Sequence, residues 1–396
     1  MKNIGIDARF LLRPIRGIPL YVVRLCQLLP ALRPDYRFWF FINKGFEHND
    51  TPANYQARLD EVVRDRANVT VVNYDSDAEV VWEQVYLPRM VKEHGIDLLH
   101  MPGNRIPFFS GVPTVVTVHD VMELVFMKTG LLQKLRSCKA NPRAALYALR
   151  QELYIWLNYR LGFRKASGVL TVSNYSAAEI HRLLGIPGER VFPIHHGLDD
   201  EFTLPNGPGS LSRERRKNVL MLGGDVIHKN AEGALAAWSR VRPEVRKRFP
   251  LKIIGFCGND QSPLMKALRA NNLVDEVEVV GWVSQEVLVQ ELRAAALFLY
   301  LSRYEGFGFP PLHAMASGTP VVVSNVTSIP EVVGDVGLKY CPDDHDGIAS
   351  GMERVLCDEQ LWYSQAIAGI KRANGFSWES SARKHLQVYE ETMRHP

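Results

Sequence analysis

The sequence predicts an α/β protein made of two doubly wound parallel-sheet domains, and three observations predict it. Short apolar runs alternate with amphipathic stretches along the whole chain, the pattern of βαβ units. A stretch rich in proline, glycine, serine and charge, "TLPNGPGSLSRERRKN" (203–218), interrupts the alternation and fits an inter-domain linker. After it the alternation restarts. The length of 396 residues agrees, being too long for one ordinary core and suited to two domains of about 150–200 residues.

In the first half, strands are expected at "NIGID" (3–7), "RFWFFIN" (37–43), "VTVVNY" (69–74), "DLLHM" (97–101), "TVVTVHD" (114–120), "GVLTVS" (168–173) and "VFPIHHG" (191–197). Each is a short run rich in aliphatic, aromatic or β-branched residues. Between them, helical candidates lie at 18–32, 82–94, 145–161 and 175–184. The second half repeats the scheme with strands at "VLMLGG" (219–224), "LKIIGF" (251–256), "VEVVGWV" (277–283), "LFLYLS" (297–302), "PVVVSN" (320–325) and "GLKYC" (337–341). Helices at 230–240, 262–272, 284–295, 310–317 and 346–357 would cover that sheet, and "WESSARKHLQVYEETMR" (378–394) reads as a terminal helix. The expected domains are therefore 1–202 and 218–376, joined by a linker at 203–217, with a final helix over 377–396.

Composition excludes several classes. Apolar content is near the globular average and charge stands at 23%, which argues against disorder and against a fibre. A net charge of +4 is small for this length, so no nucleic-acid partner is expected. Five scattered cysteines, at 26, 138, 257, 341 and 357, form no C-x-x-C pair, so neither a disulfide framework nor a zinc site is suggested. No metal and no cofactor are expected. The pairs Asp75/Asp77 and Asp344/Asp346 match D-x-D but read as solvated carboxylates. A strand-like segment at residue 3 leaves no room for a signal peptide, and no uncharged run reaches membrane-spanning length. The expectation is a cytoplasmic protein.

Doubly wound sheets bind ligands beyond the carboxyl ends of their strands, and two such sheets facing each other make a cleft. "TVVTVHD" ends in His119 and Asp120, where a histidine can hydrogen-bond a sugar hydroxyl but is more commonly satisfied by backbone groups. In "LGGDVIHKN" (222–230), Gly223 and Gly224 allow amides to approach an anion and Lys229 supplies a compact charge; a solvated loop lysine has the same signature. In "EGFGFPPLHAMASG" (305–318), Gly306 and Gly308 can bend the chain ahead of a helix whose N-terminus carries partial positive charge. That segment reads equally as a glycine-closed packing turn. Gly17 in "RPIRGIPLYV" (13–22) sits between the first strand and the first helix. No G-x-S-x-G, H-E-x-x-H, P-loop or full G-x-G-x-x-G pattern occurs.

In their order, "RGIPLYV", "TVVTVHD", "LTVSNYSAAEI", "HHGLDDEF", "LGGDVIHKN", "VVGWVS", "RYEGFGFPPLHAMASGTPVVVSNVTSIPEVVGD" and "FSWESSARKHLQVYEE" resemble the family 4 retaining glycosyltransferases, of the group 1 type. The resemblance spans nearly the whole chain and is strongest from Tyr304 to Gly334. It implies the GT-B fold: two Rossmann-like domains facing a central cleft, an acceptor-side domain first and a nucleotide-sugar-binding domain second, with the last helix crossing back to the first. By the same likeness Gly17 lies against the donor diphosphate, His119 lies near the donor sugar and Lys229 neutralises phosphate charge. Glu305 is the first acid of the family's E-x7-E motif, and Phe307, Gly308 and Phe309 present backbone amides. Gly223, Gly224 and Leu312 belong to the same donor site. His119, Glu305 and Lys229 are the expected catalytic residues.

His313 stands where the motif's second acid holds the nucleotide ribose. A carboxylate accepts from two hydroxyls at once, whereas a neutral imidazole offers one acceptor and one donor. A protonated ring would instead favour the diphosphate. His228 similarly replaces the family's common arginine. The implied activity is retaining, metal-independent hexosyl transfer from a nucleotide-diphosphate sugar, with GDP-mannose or a related GDP-hexose as the expected donor. The implied acceptor is a lipid-linked glycan or polysaccharide, as in lipopolysaccharide and other cell-surface glycan biosynthesis. Two alternatives are a non-catalytic GT-B partner protein and a sugar-nucleotide epimerase.

One further stretch, 128–165, has its own pattern. Lys128, Lys134, Arg136, Lys139, Arg143, Arg150, Arg160, Arg164 and Lys165 stand against a single acid, Glu152. Leu146, Leu149, Leu153, Trp156, Leu157 and Leu161 interleave at helical spacing. A basic amphipathic helix suits an anionic membrane surface, peripheral at the inner face of the cell membrane. An ordinary packed helix with a solvated basic face has the same pattern.

Overall fold

The computed structural model describes residues 1–14, 17–45, 55–64, 66–126 and 142–394. Lys128, Lys134, Arg136 and Lys139 of the basic stretch lie outside them. The described chain is α/β and divides into two compact units, Met1–Gly197 with Trp378–Pro396, and Leu198–Ser377.

The first unit is a seven-stranded parallel sheet: β1 (Lys2–Asp7), β2 (Tyr36–Ile42), β3 (Val69–Asn73), β4 (Leu98–Met101), β5 (Thr114–Thr117), β6 (Gly168–Thr171) and β7 (Val191–Pro193), in the order β3-β2-β1-β4-β5-β6-β7. The order reverses between β1 and β4, whose register pairs Ile4 with Leu98 and Ile6 with His100. β4, β5 and β6 are buried along their whole length, as a parallel sheet covered on both faces requires. Trp82, Tyr159 and Phe163 fill the core beside them. Helix α1 (Ile18–Leu32) begins at Gly17, whose φ of 50° favours glycine, with Pro19 in its first turn. Helix α2 (Pro142–Leu157) continues into a π-helical turn, Asn158–Gly162.

The second unit is a six-stranded parallel sheet: β8 (Asn218–Leu222), β9 (Leu251–Ile254), β10 (Val277–Val280), β11 (Ala295–Tyr300), β12 (Val321–Ser324) and β13 (Leu338–Tyr340), in the order β10-β9-β8-β11-β12-β13. Its order reverses between β8 and β11. Helix α3 (Phe309–Ala316) follows β11. The last helix, α4 (Trp378–Arg394), belongs to the first unit, where a Cβ on Gly197 would lie 2.1 Å from the Trp378 nitrogen. Only glycine fits that approach.

Several elements differ from the sequence reading. β5 stops at Thr117, so His119 and Asp120 lie in the loop beyond it. The helices Tyr55–Val63, Pro243–Arg248, Ile329–Val333 and Glu359–Ala373 were not expected. The last of these buries Ala366, Gly369 and Ala373, small residues that weaken an apolar pattern but let the helix approach Met315 of α3. Residues 203–217 lie with the second unit. There Leu211 packs against the core and Arg216 is buried, bonded to Thr319 Oγ1 at 2.8 Å and the Ser317 carbonyl at 3.0 Å.

Candidate functional site

In the second unit, the strand order reverses between β8 and β11, and the loops leaving those two strands carry Lys229 and Glu305. This is where a doubly wound sheet opens a crevice for a ligand. Lys229 Nζ donates to Glu305 Oε1 at 2.6 Å and to the Tyr300 hydroxyl at 2.8 Å. Tyr300 in turn donates to the same carboxylate oxygen at 2.7 Å, and Ser302 Oγ lies 2.6 Å from it. Three donors therefore converge on Oε1, while Oε2 accepts from none among the described residues. Burial and the neighbouring carboxylate push the Tyr300 phenol well above its usual pKa, so its proton stays in place.

Local sequence explains why Lys229 can reach. Gly223 holds φ 106°, and a Cβ there would lie 2.8 Å from Lys229 Cγ. Glycine thus clears the path of the lysine stem. At Gly224 a Cβ would lie 2.9 Å from the Phe256 backbone. Asn230, in the left-handed region at φ 56°, turns the chain into the next helix. His228 is held below its usual pKa by burial and then by the charge of Lys229.

Glu305 leads directly into the Gly-rich loop. Gly308, φ 122°, caps α3, and Pro310 and Pro311 occupy its first turn. Phe307 is buried, edge-on to Phe309 and Phe376, so only its backbone can serve a ligand. Ser328 Oγ braces the loop from beneath, 2.6 Å from the Phe307 carbonyl. Leu312 has no exposed surface. The His313 ring lies flat on Phe202, centroids 3.6 Å apart and planes within 5°. Burial pushes its pKa down to about 3, which favours the neutral ring over the protonated one at physiological pH. Its Nε2 is buried without a hydrogen-bond partner among the described residues.

In the first unit, Gly17 and His119 meet through Tyr21. The Tyr21 amide donates to the Gly17 carbonyl at 3.1 Å, and its ring stands edge-on to His119 at 5.0 Å. His119 Nε2 donates to the Pro102 carbonyl at 2.8 Å, which fixes the tautomer and leaves Nδ1 as the acceptor. Burial lowers its pKa to about 4.

Behind it runs a directional chain whose sense is set by its terminal carbonyl. His385 Nδ1 donates to the Ser381 carbonyl, so its Nε2 accepts from Tyr21 at 2.7 Å. Tyr21 then accepts from Thr117, Thr117 from His100 Nε2, and His100 Nδ1 from Tyr389. These bonds tie α4 to α1, β4 and β5. Nearby, Arg9 pairs with both Asp7 and Glu83, each at 2.8 Å, so its charge is fully compensated.

Tyr300, Ser302, Ser328, Phe202, Tyr21 and His385 were missed in the sequence. Tyr300 and Ser302 stand in or just after an apolar strand, and no spacing rule marks such residues as partners of Glu305. Of the D-x-D pairs, Asp344 caps a helix by accepting from the Gly347 amide and Asp346 pairs with Arg240. Among the described residues, no group of three or more His, Cys, Asp or Glu could hold a metal ion.

The model of the Glycosyltransferase Family 4 family matches residues 15–202, and that of Glycosyl transferases group 1 matches residues 208–372. The O-antigen chain mannosyltransferase B of Escherichia coli is 35% identical over 230 residues, covering 56% of this chain and 60% of that protein. The serotype-specific mannosyltransferase WbdA of Escherichia coli is 25% identical over 321 residues, 78% of this chain and 37% of that protein. The chain thus matches less than two thirds of the length of either relative. Among solved structures, Anabaena Alr3699/HepE in complex with UDP and glucose aligns with a TM-score of 0.68 at 18% identity, over 99% of this chain and 100% of that one. At that identity the likeness is one of fold.

Proposed function

Because the chain belongs to the group 1 glycosyltransferases, with a Family 4 amino-terminal half, we propose that it transfers a hexose from a nucleotide-diphosphate sugar to a growing glycan. The observation that carries the reading is the Lys229–Glu305 pair at the reversal point of the second sheet, at the entry to the loop that caps α3. Mannose from GDP-mannose, or a related GDP-hexose, is the donor we assign, supported by the two mannosyltransferase relatives. The acceptor is a lipid-linked or polysaccharide glycan.

In this reading the bond from the sugar carbon to the diphosphate oxygen breaks as positive charge develops on the sugar. The leaving diphosphate gains negative charge, which Lys229 and the N-terminus of α3 stabilise. The acceptor hydroxyl oxygen forms the new bond on the face from which the diphosphate departs and passes its proton to the departing diphosphate oxygen, so the sugar keeps its configuration. Glu305 holds Lys229 in place through Oε1 and offers Oε2 to the donor sugar. Gly17 and the Gly223–Gly224 turn let backbone approach the diphosphate, and His119 Nδ1 accepts from a sugar hydroxyl. His313 serves the nucleotide ribose as a neutral group. Since fixed protein charge stabilises the leaving group, transfer requires no divalent ion.

The test is direct. Purified protein with GDP-mannose and a mannose-terminated lipid-linked acceptor should release GDP and lengthen the acceptor, with activity persisting in excess EDTA. Thermal stabilisation by no nucleotide sugar would favour a non-catalytic partner protein. Conversion of the donor sugar without an acceptor would favour an epimerase. Strict dependence on magnesium or manganese would overturn the metal-independent reading.

A further inference from the structure

The helices of the second unit fall into two sets. The helix Ala231–Trp238 packs against Pro263–Ala270 and His345–Cys357, whereas α3 packs against Gln285–Ala294, Ile329–Val333 and Glu359–Ala373. The first set encloses a pocket of about 620 Å³. That volume falls within the range of small-molecule sites, about 300–1,000 Å³. Small residues make the room, since Gly233 and Ala236 line it from one helix and Ala267 and Ala270 from the next. Lys229, Glu305 and His313 are not among its lining residues. Asn230 and Arg303 are, so the pocket begins beside the candidate donor site and runs away from it between the two helices.

The polar groups of its wall are balanced and largely unspent. Lys266 and Glu232 are exposed, and the side chain of neither forms a hydrogen bond or ion pair among the described residues. Arg303 pairs with Asp343, Nη1 to Oδ2 at 3.1 Å. His345 lines the pocket as well, and its Nε2 is buried without a hydrogen-bond partner among the described residues. A buried polar atom left so calls for a partner. Two cations thus face two carboxylates, so an anion gains no net attraction and a metal ion meets both signs. The described lining holds no Phe, Tyr, Trp, Leu, Ile or Val, so it offers neither a platform for a nucleobase nor a wall for an apolar ligand. What remains is a neutral ligand rich in groups that both donate and accept, which is the chemistry of sugar hydroxyls.

We propose that this pocket is a second, non-reacting carbohydrate site, which holds a short run of sugars of the growing glycan while its end is extended elsewhere. The proposal rests on the reading of the chain as a transferase that lengthens a glycan. Lys266 donates to ring hydroxyls, Glu232 accepts from them, and His345 Nε2 gains the partner it lacks. Hydrogen bonds to charged groups are the stronger ones, which offsets the absence of a stacking ring. A glycan held at one point returns its free end at an effective concentration set by the length of chain between. Acceptors long enough to occupy the pocket are therefore used at lower concentration than short ones.

Titration of the full chain with an α-linked mannose trisaccharide, followed by ligand-observed NMR, tests this without any donor. Failure of the transferase reading shows separately, as no GDP released from GDP-mannose with any acceptor. The parent should bind the trisaccharide, and saturating GDP should leave that binding in place. Lys266→Ala with Glu232→Ala should weaken it by at least about fivefold, the scale of two lost hydrogen bonds. Ala267→Phe, which fills the pocket from its wall, should abolish it. Both variants should melt like the parent and extend a single-sugar acceptor at the parent rate. On a long acceptor their KM should rise while kcat holds. Absence of binding by the parent, or equal binding by all three proteins, would overturn the proposal. So would displacement of the trisaccharide by a single-sugar acceptor, which would put it at the transfer site, or by inorganic phosphate, which would make the pocket an anion site.

Discussion

The carboxyl ends of the two sheets carry different electrostatics. In the first unit, His100, His119, His196 and His385 are all driven neutral by burial, and Arg9 is compensated by Asp7 and Glu83. In the second unit, Lys229 and Glu305 form a partly exposed ion pair whose carboxylate keeps one oxygen unpartnered among the described residues. Neutral groups of fixed tautomer read hydroxyls by direction, whereas a charged group at a loop can follow charge as it develops. The first unit thus carries neutral polar groups at its strand ends, and the second carries a charged pair.

The largest effect should come from the second unit. Glu305→Gln or Lys229→Ala should each lower turnover by at least about a hundredfold, the scale for losing a charge-stabilising group. Both residues sit on loops, so melting temperatures should hold. Near-normal transfer by either variant would remove it from the mechanism.

Acid should separate the units next. The folded-state values of His119 and His385, about 4, lie below an unfolded value near 6.5, and those of His100 and His196 are also lowered, in every case first by burial. Above 6.5 neither state binds these protons and they contribute nothing. As pH falls from 6.5 toward 4 the unfolded state takes them up while the folded state does not, so stability is lost. The loss is about 1.4 kcal/mol per pH unit for each histidine. The second unit has His313 and the less buried His228. Hydrogen exchange followed by mass spectrometry should show the first unit losing protection earlier as pH drops. Equal loss in both units would show that these histidines do not set acid stability.

The fold was largely legible in the sequence and the wiring of the site was not. Every expected strand appears, because short β-branched runs between amphipathic segments have few other uses. Residues 18–32 form a helix over that same span. Glu305, Lys229 and the glycines stood out through residue type and family likeness. Tyr300 and Ser302 did not, since their role depends on the return of Glu305 to the end of the strand that carries Tyr300. His313 was legible as a departure from the motif, but its stacking on Phe202 joins residues more than a hundred positions apart. The basic stretch was visible as amphipathic, while the exposure of Leu149, Leu153 and Trp156 needed coordinates. No described helix is long and apolar enough to cross a membrane.

Smaller effects refine the second unit. Tyr300→Phe removes the hydroxyl that bridges Lys229 and Glu305 and should lower turnover by about two- to tenfold, the scale of one hydrogen bond. His313→Ala should weaken nucleotide-diphosphate binding by about the same factor. With a ring pKa near 3, that binding should show no His313-dependent change as pH passes through the imidazole range. Calorimetry showing tighter binding below about 6.5 in the parent, and no such change in the alanine variant, would mean that the ring charges.

A double-mutant cycle on turnover tests the central claim most directly, because Lys229 and Glu305 are held to act as one unit through their shared oxygen. Glu305→Gln with Lys229→Ala should cost little more than the worse of the two single changes, since groups that act together are not additive. Losses that multiply would mean that the two residues act independently, and the paired site described here would be wrong.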